Sequence, residues 1–456
     1  MKRWAIAIIS LFITIVPSGL VRGEDSFSLS RIIEYALENS PDLKSASAGV
    51  KKAEGKKVKG MAGLLPKLTL EFTYTDYQEK HAIVPGIIGT KQRFDDEVMF
   101  GKVGLSFLLT DFGKTFYSYR SAKESYLATI KDLERRKEVV VYTVANLYFA
   151  IASLDNLIDS LRAVHKSLSE LKRRIDLYVK NGRSARIDLL KINVRLAEIE
   201  DEISRLKRNR VELLGTLAQE MGYKGDLKLE EEIQLLKTDL DNLSFSDALE
   251  KALKHREDLS ACRNLIKASQ FGLKASKRAY WPRLSLFAGV GEFSGVSDDS
   301  RFSDHDRWED DSWIGVKVNF PIFDGGIRKG TVLEAMGIYE AMEAKAMKVL
   351  LGVYKEIKKS IADIISSKKR LKLAKVSKEE AEETLRLERL KYELGKGVIN
   401  NLLDAEAEKR KADYLYYSAI ADYNTSVFEF YLAQGLLLER YDPLIHNLNS
   451  PTNSSK

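Results

Sequence analysis

The chain has 456 residues, of which 44% are hydrophobic and 30% charged, with a formal net charge of +7 and one cysteine, Cys262. A lone cysteine excludes an internal disulfide framework, and so balanced a charge excludes a protein that binds nucleic acid through a broad basic surface. Stability has to come from packing, for which a chain of this length is ample.

Residues 1–23 have the layout of a secretory signal peptide: Met1-Lys2-Arg3, an apolar run over 4–16, then Pro17 and the small-residue pattern Val21-Arg22-Gly23. Cleavage after Gly23 removes three cations and no acid, which lowers the formal net charge from +7 to +4. An uncleaved anchor is the competing reading, but the run falls short of the ~20 residues that span a bilayer. No cysteine stands next to the cleavage site to carry a lipid.

A first structural repeat is expected over 24–222. After Pro66 the sequence alternates Leu68, Leu70, Phe72, Tyr74 against Lys67, Thr69, Glu71, Thr73, which predicts a strand over about 66–77. Met99, Val103, Leu105, Phe107 and Leu109 predict a second over about 97–109. Strands of roughly ten residues are long enough to cross a bilayer when tilted. The loop between them, 77–96, reads as polar and solvated.

A helical hairpin is expected over about 111–222. No glycine occurs between Gly113 and Gly182, so helix breaking is avoided over about 70 residues, or about 100 Å of rod. Ile192, Leu196, Ile199, Ile203 and Leu206 alternate spacings of three and four, which is a coiled-coil seam. Residues 223–242 read as a link between the two copies.

A second repeat is expected over 243–437. Residues 29–43 superpose without a gap on 245–259, an offset of 216 that also pairs Leu65-Pro66-Lys67-Leu68 with Trp281-Pro282-Arg283-Leu284. Downstream the offset is 213, pairing Asp111 with Asp324, Gly113 with Gly326, and Gly182 with Gly395. Pro, Gly and Asp match at element boundaries, where backbone geometry restricts residue type, so this is a duplicated domain rather than a solenoid. The copied strands fall at about 282–293 and 311–322, and the copied hairpin at 324–437. Trp281, Trp308 and Trp313 flank the strands, as rings at a membrane interface do. Residues 292–310 read as a solvated loop; calcium binding by Asp298, Asp299, Asp304, Asp306, Glu309, Asp310 and Asp311 is the competing reading, but these acids do not have EF-hand spacing. The tail, 438–456, reads as flexible.

A soluble coiled coil accounts for the helices alone, and an outer-membrane barrel for the strands alone. Four strands do not close by themselves; two protomers give eight, a barrel filled by side chains, and three give twelve, with room for a lumen. The residues themselves thus give strand pairs mounted on long coiled-coil hairpins, with three protomers the number that leaves a lumen and suits transport. The five histidines are scattered, and no nucleophile motif or phosphate loop occurs, so neither an enzyme nor a cofactor is expected.

In the order of these elements, the duplication, and the junctions Leu109-Thr-Asp-Phe-Gly-Lys114 and Phe323-Asp-Gly-Gly326, the chain resembles the outer membrane efflux protein family typified by TolC. The resemblance implies a membrane β-barrel of twelve strands, four from each protomer of a homotrimer, joined to an all-α coiled-coil tunnel with residues 223–242 packed around its middle. Such a trimer is an exit duct that spans the outer membrane and periplasm in an efflux or type I secretion system. Its implied partners are a periplasmic adaptor (membrane fusion protein), an inner-membrane pump or ABC transporter, and outer-membrane lipid. It places Asp404 and Asn401 at the periplasmic gate, Asn401 standing where the best-known member has an acid. An ordinary aspartate favoured by the helix dipole is the other reading of Asp404. Tyr392 and Asp188 match a tip latch whose arginine is replaced here by Gly397, which leaves Lys396 as the substitute; coiled-coil packing is the alternative for Tyr392. The turns Gly182-Arg183-Ser184 and Gly395-Lys396-Gly397 are implied to contact the adaptor. A periplasmic adaptor and an exported coiled-coil structural protein remain the rival functions.

Overall fold

A computed structural model describes residues 26–76, 82–83, 92–181, 185–230, 233–236, 238, 240, 243–297 and 308–446. The signal segment, the 182–184 turn, Asp298, Asp299, Asp304, Asp306 and residues 447–456 lie outside them, while Glu309, Asp310 and Asp311 belong to a strand rather than to a loop.

Each copy opens with two helices: α1 (Leu29–Asn39) and α2 (Pro41–Ala62), repeated as α5 (Phe245–His255) and α6 (Glu257–Arg278), 11 and 22 residues in both copies. The equivalent serines Ser28 and Ser244 cap α1 and α5 by accepting from Arg31 N and Asp247 N. Helix α2 carries three glycines, an unpromising composition for a helix. One of them admits a close neighbour: a Cβ on Gly60 would lie 3.3 Å from Tyr119 Cα on the next long helix.

The long arms are α3 (Lys114–Lys180) and α7 (Ile327–Glu393), 67 residues each, or about 100 Å. The return arms α4 (Arg186–Met221) and α8 (Ile399–Gln434) have 36 residues each. The motif aspartates explain where the long arms start. Asp111 accepts from Thr115 N at 2.9 Å and Asp324 from Arg328 N at 3.1 Å, while Gly113 and Gly326 both take φ 95°. The return arms end against the short helices: a Cβ on Gly222 would meet Asn39 O at 2.7 Å, and one on Gly435 would meet Arg256 Cα at 2.9 Å. Helices α2 and α6 thus carry on where α4 and α8 stop, and both arms of each hairpin reach the sheet.

Between helices lie β2 (Lys67–Asp76), the two-residue β3 (Ala82–Ile83), β4 (Gln92–Thr110), β6 (Arg283–Ser297) and β7 (Glu309–Asn319). They form an antiparallel sheet in the order β2-β4-β6-β7, with β3 paired to the start of β4. The strands extend into the stretches expected as polar loops, because β4 begins at Gln92 and β6 runs on to Ser297. The last strand ends at Asn319 rather than near 322; Pro321 has no N–H to give a ladder.

Short strands β1 (Ser26–Phe27) and β5 (Lys228–Leu229) pair in parallel and fasten the chain start to the inter-repeat segment. The largest apolar core gathers there, with Phe27, Ile32, Ile33, Val141, Phe149 and Phe428 almost fully buried. The buried Asn424 side chain accepts from Leu236 N at 3.0 Å and donates to Gln234 O at 2.7 Å, so the segment is tied to α8. The expectation of a flexible tail fails in its first part. Residues Leu437–His446 form helix α9, and burial of Leu437, Leu444 and Ile445 in the same core holds it.

Candidate functional site

The sheet has two unlike faces. Ladder partners share a face, so Leu68, Leu105, Ala288 and Ile314 form one apolar row across all four strands, and Phe107, Leu286 and Val316 part of another. In the protomer this face is bare: Leu70 is 81% exposed and Ile314 78%. The opposite face carries Thr69, Gly104 and Ser106, and an ion pair at 3.0 Å between Glu71 and Lys102. Trp313 belongs to this polar face and lies within β7 rather than flanking it. It sits opposite Gly289, whose Cβ would collide with the indole, as Phe287 sits opposite Gly315. Each large ring thus lies where its partner has no side chain.

At the far end of the hairpins, an apolar tip core of Leu168, Ile175, Ile192, Ile199, Ile399 and Leu402 is closed by Tyr392 and Leu189. Tyr392 is half-buried on this core, and Asp188 lies in the first turn of α4 at its edge. Asn401 and Asp404 share the exposed face of α8, and neither makes an ion pair among the described residues. Asp404 borders a groove of about 450 Å³ between α4 and α8 with Lys191 and Arg195. Lys191 donates to Asn400 Oδ1 at 2.8 Å and Arg195 to Leu403 O at 3.3 Å, so cations of the first hairpin hold the helix that carries Asp404.

The second turn is a Schellman motif. Gly395, at φ 70°, donates to Tyr392 O, and Lys396 donates through its backbone to Lys391 O at 2.9 Å. A Cβ on Gly397 would lie 3.0 Å from Tyr392 N, so a side chain at that position needs the backbone of the turn to give by a few tenths of an ångström. The Lys396 ammonium makes no ion pair among the described residues. Gly182, Arg183 and Ser184 lie outside the described residues.

Sequence reasoning missed a seam of buried charge along α8. The heptad line Ile399, Glu406, Asp413, Ile420, Val427 has carboxylates at two positions, each 1% exposed. Glu406 accepts from Arg389 of α7 at 2.7 Å, and that guanidinium also donates to Ser167 Oγ of α3 at 2.8 Å. Asp413 is bound by Lys409 and by Ser160 of α3. One oxygen of each carboxylate, Glu406 Oε2 and Asp413 Oδ1, has no partner. Burial pushes the Glu406 carboxyl above its ordinary range, and Arg389 only partly offsets it. The seven-residue spacing of two acids in an apolar seam was a legible signal.

A second missed cluster sits where α8 meets α6. Arg256, 3% exposed, pairs with Asp258 at 2.6 Å and with Glu356, and donates to Ala433 O at 3.3 Å. Arg135 donates to Leu432 O at 2.7 Å. Two guanidiniums thus satisfy carbonyls at the end of α8. Burial opposes ionisation of Asp258, but the hydrogen bond and charge of Arg256, with help from Arg135, hold its carboxyl below the ordinary range.

A family model described as outer membrane efflux protein matches residues 32–223 and again 248–435, one match for each repeat. The pyoverdine export outer membrane protein OpmQ of Pseudomonas aeruginosa is 21% identical over 385 residues, 83% of this chain and 78% of its own. The alkaline protease secretion protein AprF of the same organism is 21% identical over 419 residues, 88% and 85% of the two chains. The Campylobacter jejuni CmeC outer membrane channel superposes with a TM-score of 0.78 at 18% identity, covering 94% of each chain. With both repeats matched, two-faced strands and paired hairpins, this chain belongs to the outer membrane efflux protein family and is an exit duct of the outer membrane.

Proposed function

We propose that the protein works as a homotrimer that conducts cargo passively, receiving it from an inner-membrane pump or ABC transporter through a periplasmic adaptor. The open sheet carries this reading. Strands β2 and β7 are edges that run in opposite directions, so β7 of one copy can pair antiparallel with β2 of the next. Three copies close twelve strands around a lumen, with the apolar face on lipid and the polar face inward. Left open, the edges and bare apolar face would aggregate in water.

Conduction then needs an entrance, and the tip supplies one. Around a three-fold axis, Asp404 and the neighbouring Asn401 form a constriction, and like charges brought together there favour cations. Lys191 stands at the equivalent position of the first hairpin and Asp188 at that of Asn401. We assign the gate to the second hairpin and its outer support to the first, with Tyr392, Asp188 and Lys396 as the latch. The hairpin turns, including Gly182, Arg183, Ser184, Gly395 and Gly397, form the surface offered to the adaptor.

The purified protein in planar bilayers is expected to form small cation-preferring channels blocked by divalent cations, with block weakened by Asp404→Ala. Unchanged block and selectivity would remove Asp404 from the gate. Recovery of the protein as a soluble periplasmic monomer would overturn the duct altogether.

A further inference from the structure

Four helix ends meet the sheet: the C-termini of α2 and α6 and the N-termini of α3 and α7. The seven residues of each that adjoin the strands hold ten cations and no acid in total. Lys56, Lys59, Lys114, Lys274, Lys277 and Lys329 are exposed, and none makes an ion pair among the described residues. At about 1.5 Å per residue, all six stand within about 9 Å of the sheet end of their helix. Three acids close to them in sequence are committed elsewhere: Glu54 pairs with Lys57 at 3.3 Å, and Asp111 and Asp324 cap α3 and α7.

Helix stability does not account for this collar. Lysines at the ends of α2 and α6 are favoured by the helix dipole, but Lys114 and Lys329 sit in the first turns of α3 and α7, where the dipole opposes a cation. The other rim of the sheet has the opposite sign: Asp76 faces Glu97 across β2 and β4, and Glu292 faces Asp310 across β6 and β7. Exposed aromatic rings mark the boundary at the collar. Trp281 lies 5.0 Å from Phe112, and the Arg328 guanidinium lies over Tyr280 at 4.9 Å.

We propose that this collar binds the anionic headgroups of phospholipids in the leaflet on the tunnel side of the membrane. The inference rests on the membrane reading of the apolar sheet face, with which the collar is continuous. Lysine stems lie along the apolar boundary while their ammonium groups reach the phosphates. The collar would set the depth of the barrel in the bilayer by charge, as the rings do by polarity.

The test uses the full protein reconstituted in phosphatidylcholine bilayers, with trace spin-labelled phosphatidylglycerol or phosphatidylcholine reporting the lipid held at its surface. Association of phosphatidylglycerol should exceed that of phosphatidylcholine by about threefold or more at low salt and approach parity at high salt. Combining Lys56→Gln, Lys59→Gln, Lys274→Gln and Lys277→Gln should abolish most of the preference without reducing flotation with vesicles. Parity in the native protein, or a preference that survives the four substitutions, overturns the collar. So does a variant that changes the ion selectivity of the channel and leaves lipid preference intact, because that places the lysines in the lumen. Failure of the native protein to float with vesicles overturns the membrane reading itself.

Discussion

Arg389 on α7 reaches Glu406 on α8 at 2.7 Å, and of the two side chains the carboxylate is 1% exposed and the guanidinium 41%. The pair therefore joins the surface of one arm to the inside of the seam between hairpins. Removing the arginine strands a buried carboxylate that already has one oxygen without a partner. Arg389→Ala should destabilise the tip by about 3 kcal/mol, near the low end for breaking a buried pair because the guanidinium is half in water. Hydrogen exchange over 399–413 should accelerate, with Arg389→Lys intermediate. Unaltered exchange would mean that the apolar core alone holds the tip.

The two buried clusters should respond to pH with opposite signs. For Glu406, whose folded-state carboxyl is raised by burial, the folded form binds more protons, so local stability falls as pH rises above the ordinary carboxylate range. For Asp258, held low by Arg256, stability is present above the ordinary aspartate value and is lost as pH falls below it. Exchange protection measured separately at 399–413 and 256–262 should show the two slopes. Glu406→Gln should flatten the first and Arg256→Met the second.

Three glycines with similar backbone angles should differ in their tolerance of alanine. Gly222, Gly435 and Gly395 have φ of 73°, 73° and 70°. At Gly395 nothing lies within 4 Å of a Cβ, so Gly395→Ala should cost only the left-handed conformation, about 1 kcal/mol. Gly222→Ala and Gly435→Ala add a collision with the backbone of the short helix against which the return arm ends, at 2.7 Å and 2.9 Å. Each should cost at least about 2 kcal/mol, read as a lower thermal midpoint of the detergent-solubilised protein. Equal effects at all three positions would show that the abutment is loose.

The gaps opposite the sheet's aromatic rings should also resist filling. A side chain at Gly315 meets the Phe287 ring at 2.5 Å, and both residues are on the polar face. Gly315→Val should reduce assembly into heat-resistant oligomers on detergent gels, and Phe287→Ala should restore part of it by making room. Failure of the second substitution to rescue the first would place the fault in the ladder rather than in the ring.

Much of this architecture is written in local pattern. Alternation from Leu68 to Tyr74, the absence of glycine between Gly113 and Gly182, and the 216- and 213-residue offsets are one-dimensional signals of strand, rod and duplication. The aspartates at 111 and 324 were legible as motifs before their capping role was known. Helix α2 was not legible, because its glycines argue against a helix until α3 is beside it. Nor was α9, since Pro443 reads as a breaker and only burial of Leu444 and Ile445 shows that the segment is held.

The sequence by itself determined the strand pairs, the long rods and their duplication, because hydrophobic periodicity and helix breaking act over a few residues. Tertiary structure decided which charges are partners. Arg389 and Ser167 are 222 positions apart, as are no residues that periodicity can compare, and the burial that sets the ionisation of Glu406 and Asp258 exists only once α3, α7 and α8 are packed. The same packing left Asp404 exposed and unpaired while it buried Glu406 two residues on, and that difference in solvent access separates a candidate pore residue from a structural one.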